Sequence, residues 1–122
     1  MADYRGLLVW REAHELVLAV YEATRAFPPE ERFDLTRQLR RSAASVPANL
    51  AEGFGKMGNK GRARFTNIAL GSAFECDYHL LLAHDLGFLA PDTYKHLKAL
   101  STKVRKMLHG LHRTMRNHPS SR

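Results

Sequence analysis

The residues GFGKMG at 53–58 reproduce the G-x-G-x-x-G spacing of dinucleotide-binding loops, and Lys56, Lys60, Arg62 and Arg64 crowd around the run. Glycines at that spacing let a backbone come close to a pyrophosphate, whose charge rests on the free N–H groups opening the next helix. That chemistry needs a strand before the loop and a βαβ unit around it. Here the run follows SVPANLAE (45–52), whose periodicity is helical. The glycines therefore read as the release of one helix and the turn into the next. What survives of the cofactor reading is one backbone phosphate at that turn. A solvated basic loop accounts for the same residues.

The remaining chemistry-bearing residues form no recognised catalytic or metal-binding arrangement. Metal-binding bundles place Glu-x-x-His on two helices, whereas Glu75 and His79 are four apart and His109 and His112 pair without acids. No metal or cofactor is expected, and His79 reads as a satisfied polar residue on a core face. His14, His84, His96 and His118 form no pattern. Cys76 falls on an apolar helix face, where a thiol stays protonated and behaves as a small hydrophobe. Ser42, Ser45 and Ser72 have no base and orienter at catalytic spacing, and there is no G-x-S-x-G elbow. A non-enzyme is expected, with no catalytic residue.

The elements that position these residues are helical throughout. No alternating or β-branched run marks a strand. Four segments carry the helical period, at roughly 7–26, 30–54, 60–86 and 91–115, followed by a polar tail at 117–122. The first sets Trp10, Ala13, Val17, Val20, Tyr21 and Thr24 on one face and stops at Phe27-Pro28-Pro29. The second keeps Leu39, Ala43, Val46, Leu50 and Phe54 in phase through Pro47, which predicts a kinked but continuous helix. The third opens after Asn59 as N-cap and ends at Gly87, with Phe65, Ile68, Ala69, Ser72, Cys76, His79, Ala83 and Leu86 as its core face. In the fourth, which begins at Pro91, Leu97, Leu100, Val104, Leu108, Leu111 and Met115 point inward. Short links between helices of similar length predict an all-α, antiparallel, up-down-up-down four-helix bundle forming one domain.

Two helices are apolar on more than one side. Behind the core stripe of the second lie Ala44, Ala48 and Ala51, below Arg37 and Arg41, while the far side of the third carries Leu70, Phe74 and Leu81 around Asp77. A four-helix monomer covers one face of each helix, so the second face predicts self-association. Asn49 and Glu75 border the core, and buried polar groups require partners. They are expected to pin the second and third helices together, through carbonyls freed by Pro47 and with Arg40 or Arg41 as ion partners. Glu52 points away from the core and suits a contact between subunits.

Charge points to an anionic partner. Nineteen Lys and Arg against twelve Asp and Glu give a net charge of +7 over 122 residues, which favours nucleic acid first and anionic lipid second. Lys95, Lys98, Lys106, His109, Arg113 and Arg116 gather on the outer side of the fourth helix, and no acid follows Asp92. No apolar run approaches the ~20 residues that span a bilayer, and the start of the chain lacks signal-peptide character. With one cysteine, a reducing cytoplasm is the expected setting.

Several blocks, WREAH at 10–14, VYEATRAFP at 20–28, LTRQLRR at 35–41, SVPANLAEG at 45–53 and ALGSAFE at 69–75, occur in an order that resembles the 23S rRNA intervening-sequence proteins, a four-helix-bundle, S23-type family. The resemblance covers about residues 4–90, and it is more distant to the accessory proteins of diversity-generating retroelements. It implies an antiparallel bundle assembling as a homopentameric ring, in relatives whose biochemical role is largely undefined. Lys56 departs from the usual arginine, and the opening of the third helix is unusually basic.

Two functions follow as expectations. The first is a non-catalytic oligomer binding RNA or DNA through backbone phosphates, using the fourth helix and the Lys56–Arg64 turn, without an exposed aromatic platform for bases. The second is a structural adaptor for a protein partner such as a nucleic-acid polymerase.

Overall fold

The computed structural model describes residues 3–56 and 58–117, with the Lys56 side chain outside the description. Four helices account for most of them: α1 (Leu8–Thr24), α2 (Leu35–Lys56), α3 (Asn59–Asp85) and α4 (Pro91–Arg116). Two single turns of 3-10 helix, Tyr4–Gly6 and Pro29–Glu31, precede α1 and α2. No strand occurs among the described residues. Each helix packs on two others, α1 on α2 and α4, and α3 on α2 and α4, without diagonal contacts among the described residues.

Side-chain pairings run in opposite directions along each neighbouring pair. Between α2 and α3, Ser42 meets His79, Ser45 meets Ser72 and Gly53 lies against Phe65. Between α3 and α4, His84 stacks on Tyr94, Asp77 bonds Lys98 and Phe74 lies under Arg105. Trp10 reaches Pro47 and Thr24 reaches Arg40 across α1 and α2.

The helix ends follow from local chemistry. Thr24 turns its hydroxyl back to the Val20 carbonyl at 2.8 Å, the Phe27 N–H closes on Thr24, and two prolines stop α1. At the end of α3, Gly87 takes φ +81°, donates to His84 and lets the Phe88 N–H reach the Ala83 carbonyl. This paired closure satisfies the last carbonyls and needs a residue that tolerates the left-handed region. It also delivers Phe88 onto Phe27, ring centres 5.6 Å apart. Pro91 then opens α4, where a missing N–H costs nothing.

Helix α2 runs without a break through buried Pro47. The Trp10 indole N–H donates to the Pro47 carbonyl at 3.1 Å, tying α1 to this point. Leu39, Ala43, Val46, Leu50 and Phe54 are all buried, as the spacing predicts.

The other core stripes differ in phase from the sequence reading. In α1, Leu16 is fully buried and Tyr21 is exposed, since the core row runs Val9, Ala13, Leu16, Val20 and Thr24. In α3, Leu70 belongs to the core while Ile68 and Leu86 are exposed. The buried row there is Thr66, Ala69/Leu70, Ala73, Cys76, His79/Leu80 and Ala83, small and polar residues beside large apolar ones, so hydropathy around α3 has no single maximum to set its rotation. The second helix begins at Leu35, because Pro29–Glu31 forms a separate turn and the Glu31 carboxylate accepts from the Leu35 N–H. Asn59 lies inside α3, and Gly58 holds the N-cap position. Within the tail expected at 117–122, Asn117 forms a turn, while residues 118–122 lie outside the described residues.

Candidate nucleic-acid interface

Helix α4 separates its charges by partner. Lys95, Lys106, His109, Arg113 and Arg116 are exposed, and none of them has a carboxylate partner among the described residues. At 1.5 Å per residue, the row from Lys95 to Arg116 extends about 30 Å. Lys98 departs from its expected role: its ammonium lies 3.0 Å from Asp77, which also accepts from the buried Ser101 hydroxyl. Lys98 therefore serves the joint between α3 and α4. Lys103 likewise pairs with Glu12 at 3.3 Å. Desolvation, then the neighbouring Arg116 and His109, hold the His112 pKa below its ordinary value. Its imidazole stays neutral near pH 7 and adds no charge to the row.

The turn between α2 and α3 is less uniform than its sequence. Lys60 and Arg64 are exposed, whereas Arg62 is half-buried with its guanidinium 5.1 Å from the Phe54 ring. The Arg62 Nε is buried without a hydrogen-bond partner among the described residues. Lys56 falls outside the described side chains. Gly58 offers no side-chain cap, so the first N–H groups of α3 are not closed by it. Because α3 and α4 run in opposite directions, this turn lies at the same end of the bundle as Arg113 and Arg116.

The residues expected as structural polar groups or at subunit contacts divide. Arg41, Ala48, Glu52, Phe74, Glu75 and Leu81 are exposed, Ala44 and Asn49 are half-buried, and Leu70 is taken up by the core. Asn49 makes its side-chain bonds within α2, its amide donating to the Ser45 carbonyl and hydroxyl, and it is Ser45 that bonds Ser72 of α3 at 2.8 Å. The carbonyl used is that of Ser45; Pro47 frees that of Ala43. Glu75 points outward and takes no part. Arg40 donates to Thr24 Oγ1 at 2.7 Å, on α1.

Deeper in the bundle, Ser42 meets His79 Nδ1 at 3.3 Å and lies beside Cys76. Burial, only partly offset by Ser42, pushes the Cys76 thiol up to about 12, so it is an inert core group. No group of three His, Cys, Asp or Glu residues that could hold a metal occurs among the described residues. Among the described residues, no helix is long and apolar enough to cross a membrane.

One feature escaped the sequence reading. Tyr21, Arg32, Phe33, Arg37, Arg40 and Arg41 line a cleft of about 450 Å3 between α1 and the start of α2. Phe33 is 72% exposed and Tyr21 44%, so the chain does present aromatic faces to solvent. The signal lay in the four-residue step of Phe33, Arg37 and Arg41, but no periodicity shows that Tyr21 of α1 joins them.

The family model described as 23S rRNA-intervening sequence protein matches residues 5–110. Among solved structures, the chain is similar to a protein of unknown function from the S23 ribosomal protein family of Bacteroides thetaiotaomicron. The two share 24% identity and a TM-score of 0.78, over 85% of this chain and 97% of that one, a likeness of fold. No functionally curated protein matches the sequence significantly.

Proposed function

This chain belongs to the 23S rRNA-intervening sequence protein family, and on that premise we propose that it is a non-catalytic, oligomeric bundle that binds RNA through backbone phosphates. The observation that carries this reading is the α4 row: Lys95, Lys106, Arg113 and Arg116 stand exposed and unpaired among the described residues, while Lys98 and Lys103 on the flanks are tied to acids. A fold that has acids to spare for the flanking lysines leaves this row open. Lys60 and Arg64 extend it around the end of the bundle. Exposed cations held on a rigid helix suit a polyanion, and releasing its counterions makes such binding weaken with salt.

Oligomerisation belongs to the same proposal. Ile68, Phe74, Tyr78 and Leu81 are large apolar residues exposed on α3, interspersed with exposed Asn67 and Glu75, and Ala48 leaves a small-residue surface on α2. A second copy of the chain would cover both, and a ring such as the homopentamer implied by resemblance would multiply weak phosphate contacts through avidity.

The test is a filter-binding titration against single-stranded RNA across a salt series. The expected result is a steep loss of affinity with salt, its log–log slope falling by about 0.7 for each α4 cation changed to glutamine. Affinity that is indifferent to salt, or a quadruple Lys95/Lys106/Arg113/Arg116→Gln variant that binds like the parent, would reject the reading. If the parent shows negligible RNA affinity but those same changes abolish capture of a polymerase-type partner, the chain is a protein adaptor instead.

A further inference from the structure

The cleft between α1 and α2 has a composition that its own fold does not use. Four arginines line it and none of its lining residues is acidic. Three acids close in sequence are directed elsewhere: Glu22 pairs with Arg25 at 3.6 Å, while Glu31 and Asp34 line a separate cleft facing α3. Arg37 and Arg41 sit one turn apart on α2, a like-charge spacing that destabilises a helix. Arg37 also lies in the first turn, where the helix dipole disfavours a cation and α2 supplies no acid. Arg40 is held in place by neutral groups, donating to Thr24 Oγ1 and to the Tyr21 carbonyl, with its guanidinium 4.5 Å from the Tyr21 ring. Arg32 lies 4.5 Å from the Phe33 ring, leaving most of Phe33 open.

We infer that this cleft is a stacking site for single-stranded nucleic acid, in which a base rests on Phe33 while Arg37 and Arg41 hold the neighbouring phosphates. The inference deepens, and rests on, the reading of the protein as an RNA binder. Charge alone would suit any polyanion, and it is the exposed rings that select among them. Unpaired bases offer flat faces to an aromatic side chain, whereas duplex bases are already stacked on one another. Acidic peptides and lipid headgroups have no such face. A volume of about 450 Å3 falls in the range that accommodates a small ligand.

The experiment compares the full chain with its Phe33→Ala, Phe33→Trp and Arg37→Gln/Arg41→Gln variants. Each is titrated with a mixed-sequence 12-nucleotide RNA carrying one 2-aminopurine, and with the same strand annealed to its complement. Because Phe33 is largely solvent-exposed, its replacement should leave the thermal unfolding transition in place. Phe33→Ala is expected to weaken single-strand binding about 5- to 100-fold and leave duplex binding unchanged, with Phe33→Trp restoring the affinity and the 2-aminopurine quenching. The double arginine variant should lower the single-strand salt slope by about 1.4. Unchanged single-strand affinity in Phe33→Ala, equal losses for single strand and duplex, or displacement of the RNA by polyglutamate at matched charge regardless of the ring would overturn the inference. The last outcome would assign the cleft to an acidic protein. All three leave RNA binding itself intact, whereas a parent chain that binds neither RNA removes both proposals.

Discussion

Trp10 shows how one atom can join two elements. Its indole N–H donates to the carbonyl of Pro47, the residue at which α2 lacks a backbone donor. Replacing Trp10 with Phe keeps most of the apolar area and removes the donor, so unfolding free energy should fall by about 0.5–1.5 kcal/mol in a urea titration. Cys76 gives a second residue-scale prediction. Its thiol is pushed to about 12 by burial, above its ordinary value of 9.0. The unfolded thiol therefore ionises first, and stability linked to Cys76 is whole below about pH 8.5 and declines as pH climbs towards 12. The stability of the parent minus that of Cys76→Ala should accordingly shrink across that interval, by up to about 1.4 kcal/mol per pH unit. A difference that stays flat between pH 8 and 11 would mean that the thiol is not desolvated.

Pairs of helices are set by where backbones come close. A Cβ added at Gly53 would lie 2.8 Å from the Phe65 Cβ, so α2 and α3 meet there at a separation that only glycine permits. Gly53→Ala should destabilise the protein by about 1–3 kcal/mol through overpacking, although alanine is the better helix former. Gly110 in α4 has nothing within 4 Å of that position. Gly110→Ala should instead raise stability by about 0.5–1 kcal/mol, and thermal melts of the two variants should shift in opposite directions. The α3–α4 joint has its own test. Asp77 accepts from both Lys98 and the fully buried Ser101. Asp77→Ala should cost about 1–3 kcal/mol by leaving that hydroxyl unsatisfied, whereas Lys98→Met, which removes only a half-exposed ion pair, should cost under about 1 kcal/mol.

At the scale of the whole molecule, assembly is decided by surfaces. Phe74 and Leu81 are 52% and 42% exposed on one face of α3. If identical copies cover that face, Phe74→Glu/Leu81→Glu should convert the particle to a monomer by light scattering while helical content is retained. A parent chain that already scatters as a monomer at high concentration would remove the oligomeric part of the proposal. The charged row of α4 and the arginine cleft lie on different parts of the bundle, so RNA contact at the two should respond independently to mutation, with additive losses.

Helical class, the approximate span of each element, the α2 core stripe and the basic outer side of α4 could all be read directly from residue spacing, because a periodicity of 3.6 is a local property of the chain. The same periodicity carries the helix through Pro47. Rotation of α3 was not decided locally: alanines, a threonine and a cysteine make up much of its buried row, and such residues carry too weak a hydropathic signal to tell Leu70 from Ile68. Lys98 and Lys106 look alike in sequence, and only the packing of α3 against α4 puts Asp77 beside one and leaves the other open. The aromatic cleft likewise exists only once Tyr21 of α1 is brought beside the arginines of α2, since a juxtaposition between helices has no counterpart in the order of residues along either one.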